Sequence, residues 1–70
     1  MEDEALEIVD GRVIEALPST LFRILTTDGR NMISYLGGKM RVHKIKVLVG
    51  DKVSIQVDPY GGKGRITKRL

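Results

Sequence analysis

Lys39, Arg41, Lys44 and Lys46 crowd into the segment GGKMRVHKIK, together with the chain's one histidine, His43. A second basic set, Lys63, Arg65, Lys68 and Arg69, lies in the last stretch, and Arg23 stands alone inside LFRIL. Side chains of this kind neutralise phosphates and release counterions. Arginine adds forked donors and a flat face for stacking on bases. Tyr35 and Tyr60 are the aromatic groups that could stack; Phe22 reads as core. Catalysis has much less to work with. His43 has no sequence-evident partners for a triad. The acids gather at the N-terminus and in turns, and GGKGR lacks the spacing of a phosphate-binding loop. With no cysteine and one histidine, a Cys- or His-rich metal site is excluded. No enzyme activity, metal or cofactor is expected.

The charge distribution points the same way. Residues 1–15 carry six acids and one base, whereas residues 37–70 carry nine bases and two acids. The formal net charge of +3 therefore hides halves of opposite sign. A small chain with one strongly basic half points to a polyanion partner. No apolar run approaches the ~20 residues needed to cross a bilayer. The N-terminal MEDEALE is acidic where a secretion signal is basic, so a cytoplasmic protein is expected.

The elements that must position these groups are mostly strands, because the apolar period is two. KVSIQVD sets Val53, Ile55 and Val57 against Lys52, Ser54, Gln56 and Asp58. LFRIL puts Phe22 and Ile24 together with Arg23 opposite. NMISYL sets Met32, Ser34 and Leu36 against Ile33 and Tyr35. GRITKR turns Ile66 inward and Arg65, Thr67 and Arg69 outward. LEIVDGRVIEAL reads as one long strand, in which Gly11 predicts a bulge or bend that lets it serve two sheet edges. LPST, TDGR, VGDK and PYGGKG punctuate the strands. Asp28-Gly29 predicts a type I′ hairpin turn, and the three glycines of PYGGKG predict a mobile loop. GGKMRVHKIK has no clean period, which predicts a short irregular helix or loop between strands three and four.

Seventy residues are expected to form one domain, 1–70, with residues 1–5 a flexible acidic arm. Five strands with a helical connector after the third match the OB-fold, an all-β five-stranded Greek-key barrel. An SH3-like barrel fits the strand count as well. Some residues fit two roles. Met40 is either a core plug or an RNA contact, and Tyr60 either packs over the barrel end or stacks on a base. Arg69 is either a working cation or part of a frayed end. Two exposed-aromatic candidates are few for a binder of unstructured strands. They suit recognition of folded RNA by shape and phosphates.

ALPSTLFRI, GGKMR, LVGDKV and DPYGGKGRIT together resemble the bacterial translation initiation factor one family, in order and spacing, from about Gly11 to Arg69. Organelle versions look similar. The resemblance implies a single OB-fold that binds the small ribosomal subunit at the aminoacyl-tRNA site. It implies contacts to decoding-centre rRNA and an adjacent ribosomal protein, displacement of two adenines, and action with the other two initiation factors. It implies a non-enzymatic monomer in the cytoplasm or an organelle stroma. The RNA-binding positions then fall on Arg23, Lys39, Met40, Arg41, Lys44, Lys46, Tyr60, Lys63, Arg65, Lys68 and Arg69. The chain departs from that family at Tyr35 and Arg30, where histidines are usual, and at Lys44, where an aromatic is common. Its PYGG loop is one residue shorter than usual. The alternative on the same fold is a cold-shock-like chaperone of single-stranded RNA.

Overall fold

Val9, Gly11 and Val13 alternate with Asp10, Arg12 and Ile14 along β1 (Glu7–Leu17), and this period of two sets one row against the core. The computed structural model describes residues 7–70; the arm expected at residues 1–5 lies outside them. After β1 come a 3-10 turn (Pro18–Thr20), β2 (Leu21–Thr26), β3 (Asn31–Leu36), α1 (Gly38–Val42), β4 (Lys52–Val57) and β5 (Gly64–Arg69). The strands close into a barrel in the order β1-β2-β3-β5-β4. All pairings are antiparallel except that of β3 with β5. A single short helix between the third and fourth strands completes the OB-fold expected from the sequence.

Strand β1 does serve two edges. Glu7 to Arg12 pair with β4, and Gly11 to Leu17 pair with β2. The irregularity falls between Val13 and Glu15 rather than at Gly11. Gly11 is required for another reason. A Cβ there would stand 2.6 Å from Ile24 Cγ2 and 2.8 Å from the Leu25 carbonyl. The glycine lets two walls of a small barrel approach where they overlap.

The core is Val13, Phe22, Ile24, Met40, Val47, Val53, Ile55 and Ile66, with Val9 and Leu36 packed against it. Five of these eight, Phe22, Ile24, Val53, Ile55 and Ile66, sit where the strand alternation turned them inward, and Met40 takes the plug position that was one of its two expected roles. Val13 and Val47 join them from β1 and from the segment after α1. The TDGR turn differs from expectation. Gly29 has φ +91°, but Asp28 is not at positive φ. The Gly29 amide donates to the Thr26 carbonyl at 3.0 Å, and the Thr26 amide to the Arg30 carbonyl at 2.8 Å. This is a three-residue loop ending in a glycine bulge, not a type I′ turn. The reason is Thr26, whose buried hydroxyl takes the Arg30 amide at 2.8 Å and bonds the Asp28 carboxylate.

The PYGGKG loop is tied at its start, although its glycines predicted slack. The Asp58 carboxylate accepts from the Tyr60 amide at 2.8 Å and from the Gly62 amide at 3.1 Å. Asp58 is thus an Asx-type organiser of the loop. Among the described residues, no helix is long and apolar enough to cross a membrane.

Candidate RNA interface

Helix α1 is short because each end is closed at once. Gly37, before it, donates its amide to the Ile66 carbonyl at 2.9 Å, which docks the helix start on β5. A Cβ at Gly37 would stand 2.9 Å from that same carbonyl and 3.2 Å from Arg65 Cγ, so only glycine fits. At the other end the Ile45 amide donates to the Met40 carbonyl at 2.9 Å, and the Lys44 amide to the Arg41 carbonyl at 3.1 Å. These two bonds form a Schellman motif, and Lys44, at φ +55°, occupies the left-handed position that glycine usually fills. The expected short helix is therefore a single turn with a defined stop.

That turn decides the fate of GGKMR. Met40 is only 1% exposed and belongs to the core cluster. Of its two expected roles, the structure places it as the plug. It faces the core because a one-turn helix docked on β5 has one inward position, so it lies in the barrel and not among the exposed side chains where an RNA contact was expected. Lys39 and Arg41, on either side, are exposed, as are Lys44 and Lys46. A cleft of about 440 Å³ runs under the connector and includes Arg41, Lys44 and Lys46 in its lining.

Lys39 and Arg65 line one cleft of about 180 Å³ with Gly37, Gly38 and Thr67, and Met40 closes its floor. The two basic motifs, 26 positions apart in the chain, meet there because Gly37 docks α1 beside Arg65. Arg65 also lines a neighbouring cleft of about 250 Å³ with Tyr35, Gln56 and Lys63. Register explains this: Tyr35 pairs with Arg65 across β3–β5, and Gln56 pairs with Arg65 across β4–β5. Sequence reasoning missed Gln56, which stands on the polar side of β4 with nothing local to single it out.

Other expected site residues lie apart from these clefts. Arg23 is on the outer side of β2, where its Nε donates to Glu15 Oε1 at 2.9 Å. Glu15 reaches it because the β1 irregularity shifts the register there. Tyr60 is 94% exposed at a loop tip, so it does not cover the barrel end. Lys68 and Arg69 are re-aimed by a register shift between β4 and β5 at Ser54 and Ile55. Lys68 pairs with Ser54, whereas Arg69 pairs with Val53, a fully buried residue. Arg69 thus takes the side of the sheet opposite to that expected, and its Nη1 donates to the Lys46 carbonyl at 3.2 Å.

Arg30 adds little open charge. Its guanidinium bonds Asp28 at 2.8 Å and Glu7 at 2.9 Å. The hydrogen bond from Arg30, helped by Thr26, holds the Asp28 carboxyl down to about 2, well below the usual carboxylate range. The Arg30 guanidinium is correspondingly raised, chiefly by Asp28 and then by Glu7. By contrast, no ion pair among the described residues engages Lys39, Arg41, Lys44, Lys46, Lys63 or Arg65. No group of His, Asp and Glu among the described residues could hold a metal ion.

A closed five-stranded barrel with exposed cations gathered over α1 and β5 defines a small OB-fold protein with one basic side. Residues 2–70 match the family described as translation initiation factor 1A / IF-1, and the chain belongs to that family. It is a translation initiation factor by that membership. Its fold is similar to the solution structure of the translation initiation factor IF-1 from the Wolbachia endosymbiont strain TRS of Brugia malayi. That match has 33% identity and a TM-score of 0.81, covering 99% of this chain and 83% of the other. It is also similar to part of YjeQ from Thermotoga maritima, with 28% identity and a TM-score of 0.77. A third similar structure is YloQ, a circularly permuted GTPase, with 25% identity and a TM-score of 0.79. Both of those matches cover 91% of this chain, which spans only 23% of either larger protein.

Proposed function

We propose that this factor binds the small ribosomal subunit at the aminoacyl-tRNA site as a single copy and acts there with the other two bacterial initiation factors. Arg41, Lys39, Lys44 and Lys46 reach phosphates of the decoding-centre rRNA, and Lys63 and Arg65 hold an adjacent strand. An adjacent ribosomal protein completes the site. The factor recognises shape and charge and catalyses no reaction. It works where bacterial-type ribosomes are found, in the cytoplasm or an organelle stroma.

The observation that carries this reading is the shared cleft of Lys39 and Arg65, which joins two separate basic motifs on one surface. A cold-shock-like chaperone fits less well. Phe22 is buried, which leaves Tyr35 as the aromatic on the outer wall of β2 and β3, and such binders depend on stacked bases. Co-sedimentation with purified small subunits tests the proposal. Saturable binding that weakens with salt and is lost in Arg41→Asp is expected. Absence of saturable binding, or binding indifferent to Arg41→Asp, sinks it.

A further inference from the structure

We propose that the barrel wall formed by β2, β1 and β4 is a second interaction surface, which receives an acidic, apolar segment of a neighbouring protein on the small subunit. The inference rests on the functional reading above for where the chain sits. The wall itself supplies the rest.

Arg12 of β1 pairs with Leu25 of β2 on one side and with Lys52 of β4 on the other. The Leu70 amide donates to the Lys52 carbonyl at 2.8 Å, which adds Leu70 to the row. Leu25, Arg12, Lys52 and Leu70 line one cavity of about 340 Å³ together with Ile14. Ile14, Leu25 and Leu70 are 41%, 43% and 56% exposed. An antiparallel wall facing only water carries polar side chains at its outward positions. Grouped aliphatic side chains rimmed by charge mark a place where another surface lands.

The charges select the partner. Arg12 and Lys52 stand directly opposite one another, an unfavourable arrangement for like charges. No ion pair among the described residues relieves either. Arg12 Nη1 donates to the Gly50 carbonyl at 2.8 Å, which fixes the guanidinium and leaves its other donors open. The carboxylate of Asp10, also in the lining, already accepts from Ser54 Oγ at 2.8 Å. A carboxylate brought from outside would satisfy both cations. Phosphates alone would leave the three aliphatic side chains in water, so a protein segment with leucine-type and acidic side chains fits better than RNA.

Position agrees with this. In the barrel order, β1 lies across from the β3–β5 pair that carries Tyr35 and Arg65. A factor seated on rRNA through that pair turns β1 outward. Exposed Leu48 and Val49 extend the same side, since the Gly50 amide in their turn donates to the Val13 carbonyl at 2.8 Å.

A photo-reactive benzoylphenylalanine placed at Leu25 tests the proposal, using purified small subunits and the two purified companion initiation factors. The same label at Ile14 repeats the measurement should the Leu25 variant fail to fold. The expected result is a cross-link to a protein peptide richer in Asp and Glu than in Lys and Arg. The double change Arg12→Glu and Lys52→Glu should cut its yield roughly tenfold or more at matched occupancy of the subunit. Cross-links to rRNA, to a second copy of this chain, or to no protein at saturating occupancy overturn the inference alone. A labelled-site parent that does not sediment with subunits at all overturns the functional reading, and this inference with it.

Discussion

The guanidinium of Arg69 donates to the main-chain carbonyl of Lys46 at 3.2 Å, so the last strand clips the connector that carries the basic segment. The backbone of Arg69 is fixed by its pairing with Val53. Arg69, although exposed, is therefore also a strut between the barrel and Lys46.

Loss of that strut should loosen the connector. Arg69→Gln is expected to speed amide exchange at Lys46 and its neighbours. Subunit affinity should fall roughly two- to tenfold, the worth of one net hydrogen bond. The slope of affinity against salt should barely change, because the bond is to a carbonyl. Arg41→Gln, which removes a proposed phosphate contact, should flatten that slope by about one. Equal flattening in the two variants would make Arg69 a phosphate ligand instead.

Met40 separates packing from recognition. Met40→Ala should cost about 2–5 kcal/mol of stability through the cavity it leaves. Met40→Leu should cost less than about 1.5 kcal/mol and bind subunits as the parent does. Thermal melts beside co-sedimentation read both quantities. A Leu variant that is stable yet does not bind would return Met40 to the RNA surface.

Lys44 sets stability against binding. Its φ of +55° is strained for a residue with a Cβ. Lys44→Gly relieves that strain but gives the unfolded chain more freedom. A net gain of about 0.5–1 kcal/mol is expected, a rise of a few degrees in Tm. Subunit affinity should fall at the same time, with a flatter salt slope.

The Asp28–Arg30 pair predicts an acid signature. The folded-state value of Asp28 lies at about 2, below its ordinary 3.8. Between these values the unfolded chain binds the proton first. The stability that the pair contributes is therefore fully present above pH 3.8 and is lost as pH falls towards 2. Arg30→Ala should remove much of that slope in urea melts taken from pH 5 to pH 2, because Arg30 is the largest cause of the shift. An unchanged slope would count against the pair.

Several features were legible in the residues because they depend on near neighbours or on a period. Alternation placed Val53 and Ile55 inward and Arg23 outward, since successive strand side chains face opposite ways. The connector was legible as irregular, and Lys39 and Arg41 as exposed beside it. Local pattern failed wherever a distant strand intervened. The type I′ turn lost to the Thr26 hydroxyl, which opens the turn and is held in place by its burial at the end of β2. Gly11 looked like a bulge, yet it is small because Ile24 and Leu25 press on it from another strand.

Five strands, a basic half and the family motifs can be read along the chain, because periodicity, charge and motif spacing are local properties. Which cations stand side by side depends on how distant segments pair. Gly37 docking on Ile66 brought Lys39 to Arg65, and the register shift at Ser54 and Ile55 turned Arg69 towards Lys46. The ladder of β1 with its two neighbours set Arg12 against Lys52 beside Leu25. Each of these is a choice of register between segments far apart in the chain, and a shift of one residue would send the same side chain to the other face.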